Sequence, residues 1–446
     1  MMKERLKSFI LVILVAFSLV LAEKILVDEK LWPTGYNFFS IRTNLKKSDH
    51  SVTDNLTAPE RIIVNTGYQS SRFEYLRKSP EFKGIYDVAS KILKTAFEKP
   101  ARNILEVSSE NWYSALTGKS IYLSYPTSYS AKNFSGLLAT GRTEATFKRF
   151  SDIVIEENGN VYVNDNGTFY KIETGAQEIS AIIENVLKTN TEDQSVINYS
   201  FDLNFDKEFG SQKTILAPMI PIYSDAVWAE VVYAENPVMK DDEINQRTVN
   251  QILSAFSINP NSMWRYTEAD GTLVFVENTG ILKISTDGIL TFTASDTGIM
   301  LSSGASDTYE NVSQVAEFID TVNLSINQNA EMSVTSPLTE DNAQSFTFDY
   351  NVGGIPVKYQ GTSAVKVTVR NGYITEYSQI LRRYNPQDAM GFTPLYIEAL
   401  DNIIAKYQSS MNQINIKKMC PAYIDDLTSG EKTPDWYIEI DNVVAE

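Results

Sequence analysis

Ser151-Asp-Ile-Val-Ile-Glu156, Val161-Tyr-Val163 and Thr168-Phe-Tyr-Lys-Ile172 are separated by Asn158-Gly159 and Asn166-Gly167. Val, Ile, Tyr and Phe suit a pleated, half-buried surface. Asn and Gly both tolerate the positive φ of a type I′ turn, so Asn-Gly between alternating runs predicts a hairpin. Three antiparallel strands therefore lie within residues 151–172, and the fold class must include hairpin-built sheets.

Elements on either side extend that reading. Glu60-Arg-Ile-Ile-Val64 and Ser120-Ile-Tyr-Leu-Ser-Tyr125 read as strands, the second stopping at Pro126. Between them Phe82, Ile85, Tyr86, Ala89, Ile92, Leu93 and Phe97 recur at three- and four-residue spacing, which predicts a helix over 80–97. Trp112–Leu116 is a short apolar patch. A second helix is expected over 178–187, then a less regular acidic stretch over 190–245, then a helix over 243–256. Beyond it, strands punctuated by Asp270-Gly271, Gly280 and Asp287-Gly288 form a meander. A helix over 309–322 follows, then strands around Gly353-Gly354 and Asn371-Gly372, a helix over 394–407, and closing strands at 414–416 and 435–441. Helix, sheet, helix, sheet predicts two similar α+β units in tandem.

Near the start of the chain, Lys3, Arg5 and Lys7 precede fifteen uncharged residues, Ser8 to Ala22. At 1.5 Å per residue these span about 22 Å, short of a roughly 30 Å hydrocarbon core. Ile25-Leu26-Val27 would extend the helix if Lys24 snorkels. The basic residues hold the N-terminus in the cytoplasm. Val20-Leu21-Ala22 equally fits a cleavage site, so the residues alone leave anchor and cleaved signal peptide both open. On either reading the bulk of the chain is extracytoplasmic. Trp32 and Tyr36 follow as candidate interface aromatics.

The net charge of −17 is uneven. Residues 1–106 carry 17 Lys and Arg against 12 Asp and Glu, a net of +5; the remainder is strongly acidic. An acidic bulk argues against nucleic-acid binding. One cysteine (Cys420) and one histidine (His50) exclude an internal disulfide and the usual Cys/His metal spacings. His50 reads as an exposed loop residue, Cys420 as a small buried or half-buried one. Asn164-Asp-Asn-Gly167 only superficially resembles a calcium loop, and Ser363-Ala-Val-Lys366 begins a strand, not the helix a Ser/Lys nucleophile pair uses. Asp241-Asp242 and Asp425-Asp426 read as solvated loop charges. Nucleophile elbows, zincin motifs and phosphate loops are absent. No catalytic, metal or cofactor-binding residues and no small-molecule substrate are expected. The profile is that of an interaction protein whose exposed edges and aromatic faces do the work.

Several of these stretches also resemble a known family. Lys7 to Leu21 followed by Trp32 resembles the start of the YycH family. So do Phe150–Ile155 with Val161-Tyr-Val163, and Phe256-Ser-Ile-Asn-Pro260 with Arg265, Asp270-Gly271 and Gly280–Phe292. Gly354-Ile-Pro-Val357, Val365–Tyr377, Ala399-Leu400 and Pro434-Asp-Trp-Tyr437 resemble the C-terminal fold that family shares with YycI. One departure is Ala22-Glu23-Lys24, where the family continues apolar or aromatic. The resemblance implies a single-pass protein of the cell membrane that regulates the YycFG (WalKR) two-component system. It would act by protein contact, together with YycI, on the sensor histidine kinase YycG/WalK. The expected organisation is a cytoplasmic N-terminus (1–7), a transmembrane anchor (8–27), an N-terminal α+β domain (28–245), a middle α+β domain (246–325) and a C-terminal YycI-like domain (326–446). Ser8, Ala16, Ser18 and Ala22 are the small residues through which the anchor would pack on a partner helix. The alternatives are an extracytoplasmic binding or inhibitor module without a kinase partner and an exported carboxylate-based hydrolase.

Overall fold

The structure, a computed structural model, describes residues 51–441 apart from 68–71, 142, 176–178, 190–196, 208–213, 242, 259–262, 302–306, 340–343 and 408–412. The expected anchor over 8–27, its flanking Lys3, Arg5 and Lys7, the packing candidates Ser8, Ala16, Ser18 and Ala22, the aromatics Trp32 and Tyr36, and His50 lie outside the described residues. Among the described residues, no helix is long and apolar enough to cross a membrane.

The first sheet has seven strands: β1 (Arg61–Thr66), β2 (Arg72–Leu76), β3 (Ile104–Val107), β4 (Lys119–Tyr129), β5 (Phe150–Glu156), β6 (Val161–Asp165) and β7 (Thr168–Ile172). They are antiparallel in the order β2-β1-β4-β5-β6-β7-β3. Asn166 and Gly167 both have positive φ (51° and 89°), the type I′ turn expected between β6 and β7. At the other Asn-Gly pair only Gly159 does, because four residues, not two, connect β5 to β6. Pro126 does not end β4. The pairing of β4 with β5 shifts register between Ser124 and Tyr129, and the proline sits in that irregular stretch.

Both faces of this sheet are covered. Helix α1 (Pro80–Phe97) buries Phe82, Ile85, Ala89, Ile92, Leu93 and Phe97 on one face. Helix α2 (Ser109–Thr117), built from the apolar patch around Trp112, packs on the other. Every residue of β1 is buried for that reason. Helices α3 (Ala131–Leu137) and α4 (Ser180–Thr189) follow.

Among the described residues, six strands occupy the stretch expected to be irregular. They are β8 (Ile197–Tyr199), β9 (Thr214–Leu216), β10 (Pro221–Tyr223), β11 (Trp228–Glu235), β12 (Met239–Lys240) and β13 (Glu243–Ile244). Five are too short to show a period. Glu243 and Ile244 are therefore strand, not helix. Helix α5 (Gln246–Ala255) begins after Asn245, whose side chain accepts the Thr248 N–H at 3.3 Å.

The second sheet has thirteen strands. Its meander is β14 (Trp264–Thr267), β15 (Leu273–Glu277), β16 (Gly280–Ile284) and β17 (Ile289–Ala294); β18 (Ile299–Met300) pairs instead with β23 (Tyr373–Ile380) further on. Helix α6 (Thr308–Ser325) follows, then β19 (Glu331–Val334), β20 (Ser345–Val352), β21 (Ile355–Tyr359), β22 (Val365–Arg370), β23 (Tyr373–Ile380) and β24 (Arg383–Phe392). Helix α7 (Tyr396–Tyr407), β25 (Ile414–Asp425), β26 (Gly430–Lys432) and β27 (Pro434–Asp441) close the described chain. The path runs β14-β15-β16-β17-β23-β22-β20-β21-β25-β27, so one sheet crosses residue 325. β21 and β9 join β25 in parallel. Helices α5 and α6 cover its core face, where Phe256, Phe318, Phe292 and Tyr377 form an aromatic cluster. The separate three-stranded sheet β24-β11-β26 lies beside it.

Candidate protein interface

Two of the regions that join the first sheet and its helices to the rest of the chain are built around carboxylates. In the first, Lys418 Nζ on β25 lies 2.8 Å from Glu60 Oε2, just before β1. Next to them Arg61 Nη1 is 3.1 Å from Glu74 Oε1, and the Tyr223 hydroxyl donates to Glu74 at 2.9 Å. Burial alone would raise the Glu60 carboxyl, but the charges of Lys418 and Arg61 overcome it and hold it at about 2. Cys420 is fully buried in this seam, and burial pushes its thiol up.

The second region is α6. Asp320 accepts from Ser51 Oγ (2.9 Å), Val52 N (2.7 Å), Thr53 N (3.4 Å) and Thr53 Oγ1 (3.1 Å). The first described residues are thereby fixed to this helix, with Val52 and Leu56 buried. Burial raises the Asp320 carboxyl, and these four hydrogen bonds only partly offset it. At the start of α6, the Tyr309 ring fills the space beside Gly136 on α3, where a Cβ would lie 2.4 Å from Tyr309 Cγ. Lys132 Nζ meets Asp307 at 2.7 Å.

A groove of about 1310 Å³ opens beside that contact, lined by Phe147, Lys148, Asp165, Asp307 and Tyr309 among others. Both carboxylates are engaged: Asp307 with Lys132, and Asp165 with the backbone N–H groups of Lys148 (2.9 Å) and Arg149 (3.1 Å). Asn164, in the stretch with superficial likeness to a calcium loop, accepts from Gly167 N at 2.8 Å and serves the turn. Asp425 is not the solvated loop charge expected of it. It is wholly buried, accepting from the Tyr384 hydroxyl and Leu427 N, both at 2.8 Å, while Asp426 stays exposed beside Lys432. Lys366 is exposed on β22, in strand, as expected of Ser363-Ala-Val-Lys366.

One group of exposed apolar side chains lies on β11 and β24. Trp228 and Glu230 alternate with buried Ala229 and Val231, and then Val232 is buried as well. This is a bulge: the register with β24 shifts between Glu230 and Val232. It returns Tyr233 to the outer face. On β24, Phe392 stands opposite Trp228 and Met390 opposite Glu230, with the Trp228 and Phe392 rings 5.2 Å apart. Gly391 points inward, where a Cβ would meet Pro434 at 2.9 Å. The inner face of the ribbon is therefore pressed against β27 and the outer face carries the large side chains. Val227 and Thr393 exchange hydrogen bonds (3.0 and 3.1 Å), closing the ribbon before α7. Tyr396 then buries against Trp436, leaving Leu395 and Ile397 outside.

A second exposed site is β14, the last strand of the thirteen-stranded sheet. Trp264 and Tyr266 are 79% and 50% exposed. Trp264 continues an outer row through Val276 and Ile281. Sequence pattern places Trp264 and Tyr266 in a strand of the meander but marks neither them nor Trp228 and Phe392 as interface residues. One signal was present: Trp228 shares a strand face with Glu230, and a face that carries an unpaired Glu faces water.

Together these features define a class: a largely antiparallel α+β protein whose two large sheets are locked together and which carries exposed apolar groups at a ribbon and a sheet edge. The structure of YycH from Bacillus subtilis is similar to it, with a TM-score of 0.59 over 90% of this chain and 98% of that one, at 12% sequence identity. The chain has a YycH-like fold. A protein from Eubacterium rectale ATCC 33656 aligns over 57% of this chain and 88% of its own, with a TM-score of 0.33 and 13% identity. No family model and no curated protein matches the sequence.

Proposed function

We propose that the chain is a regulator of the YycFG two-component system and not an enzyme. It is held at the cell membrane by residues 8–27, with its bulk extracytoplasmic, and acts by contact with the sensor kinase YycG/WalK and a YycI-like protein. The observation that carries this reading is the YycH-like fold over 90% of the chain. The attachment of residues 51–53 to Asp320 is consistent with it, because it fixes the first described residues to α6. Such a contact works by binding one signalling state of the kinase better than the other. The test is deletion of the chain in its own host, with kinase phosphorylation as the readout. A change is expected. Replacing residues 1–24 with a cleavable signal should abolish the effect. Unaltered phosphorylation after deletion overturns the proposal, and full function of the untethered form overturns the role of the anchor.

A further inference from the structure

We infer that the outer face of β11 and β24, with the exposed start of α7, docks an amphipathic segment of another protein whose apolar side is flanked by Lys and Arg. The inference rests on the proposed function in taking the occupant to be a separate protein. Single exposed hydrophobic residues are ordinary, but contiguous ones mark binding surfaces. Trp228, Phe392, Met390, Ile397 and Leu395 are 61%, 60%, 55%, 53% and 43% exposed and lie on one ribbon and the turn that leaves it. Trp, Phe and Met are the residues enriched at the centres of interfaces. The surface is also held in place. Gly391 against Pro434, and Tyr396 against Trp436, fix the backbone beneath it, so little ordering remains to be done on binding.

Charge selects the occupant. The two stretches that carry the patch, 224–231 and 386–402, contain Asp225, Glu230, Asp388, Glu398 and Asp401 and no Lys or Arg. All five carboxylate residues are exposed. Arg383 on β24 is engaged with Glu235, and Lys432 on the neighbouring β26 with Asp426. A second copy docked face to face would set carboxylates against carboxylates. An anionic lipid surface would meet the same repulsion. An apolar stripe bordered by cations satisfies both the patch and its rim.

The experiment uses the full chain in nanodiscs of zwitterionic lipid, with empty nanodiscs as reference. The probes are a labelled amphipathic peptide of Leu and Lys and its Leu and Glu counterpart. The Leu/Lys peptide should bind and the Leu/Glu peptide should not. The double substitution Trp228→Ala with Phe392→Ala should weaken binding on the order of tenfold or more. Glu230→Lys with Glu398→Lys leaves three carboxylates against two cations on the rim and should largely erase the preference between the peptides. These positions are exposed, and near-UV circular dichroism checks that the fold is kept. Equal binding to the Trp228→Ala/Phe392→Ala chain, or an unchanged preference in the Glu230→Lys/Glu398→Lys chain, overturns the inference. So does a wild-type dimer that the aromatic substitutions dissociate, or adsorption to anionic nanodiscs that they abolish. Peptide docking and the kinase deletion read out separately, so failure of the surface and failure of the regulatory role are distinguishable.

Discussion

Two of the contacts that fasten the first part of the chain to the later part use carboxylates in opposite ways. Glu60 is buried against the cation Lys418, with Arg61 close by. Asp320 is held by neutral donors only, two backbone N–H groups and two hydroxyls. A counter-charge more than repays the burial of Glu60, whereas neutral hydrogen bonds leave Asp320 with its carboxyl raised. The seam is thus built to persist, and the α6 attachment of residues 51–53 is the weaker of the two. The difference places the weaker of these two attachments at the first described residues.

The largest effect is expected from Glu60→Ala. It leaves Lys418, whose side chain is 31% exposed, without its partner, and should cost about 3 kcal/mol in urea unfolding. A cost near zero would remove the basis of the contrast. Gly136→Ala should cost about 2 kcal/mol, because the added Cβ meets the Tyr309 ring, and Tyr309→Ala in the same chain should recover much of the loss. Asp320→Ala should cost only about 1 kcal/mol globally, since lost hydrogen bonds are offset in part by the burial that ends. Its clearer mark is faster hydrogen exchange confined to residues 51–56. Exchange spreading across the first sheet would show that the attachment is not local.

The two carboxyls also predict opposite responses to pH. The folded-state value of Glu60 lies below its ordinary 4.5, so its stabilisation is complete above that value and is lost as pH falls through about 2. Glu60→Gln should flatten the stability profile over that window. Asp320 is raised, so the fold holds its proton more tightly than the unfolded chain does. Its contribution to stability therefore grows as pH falls through the raised value, and Asp320→Asn should remove that gain. Unfolding midpoints of the wild type and both variants across acid pH decide the signs. The smallest effect is expected at Trp228→Ala, within about 0.5 kcal/mol of wild type because the side chain is exposed.

Local pattern carried much of the fold. The three- and four-residue spacing gave α1 with both its ends, Pro80 and Phe97, and Asn166-Gly167 gave its hairpin its true turn. Where the pattern is broken by geometry, it misled. The bulge in β11 puts two buried valines in succession, and β24 contains Pro386 with a long exposed stretch, so neither reads as a strand. The interface was less legible still. Glu60 and Lys418 are 358 residues apart, and nothing local in either stretch predicts their pairing. Asp425 beside Asp426 looks like a solvated pair, and only the fold reveals that one of them is wholly buried.

The lone cysteine gives the seam a clock. Cys420 is the chain's only thiol and is fully buried two residues from Lys418. A thiol reagent can reach it only in molecules whose seam has opened, so the labelling rate reports the frequency of that opening in the intact protein. Releasing residues 51–53 by Asp320→Ala should leave this rate unchanged, while Glu60→Ala should raise it. One sulfur atom then reports, in real time, when the seam lets go.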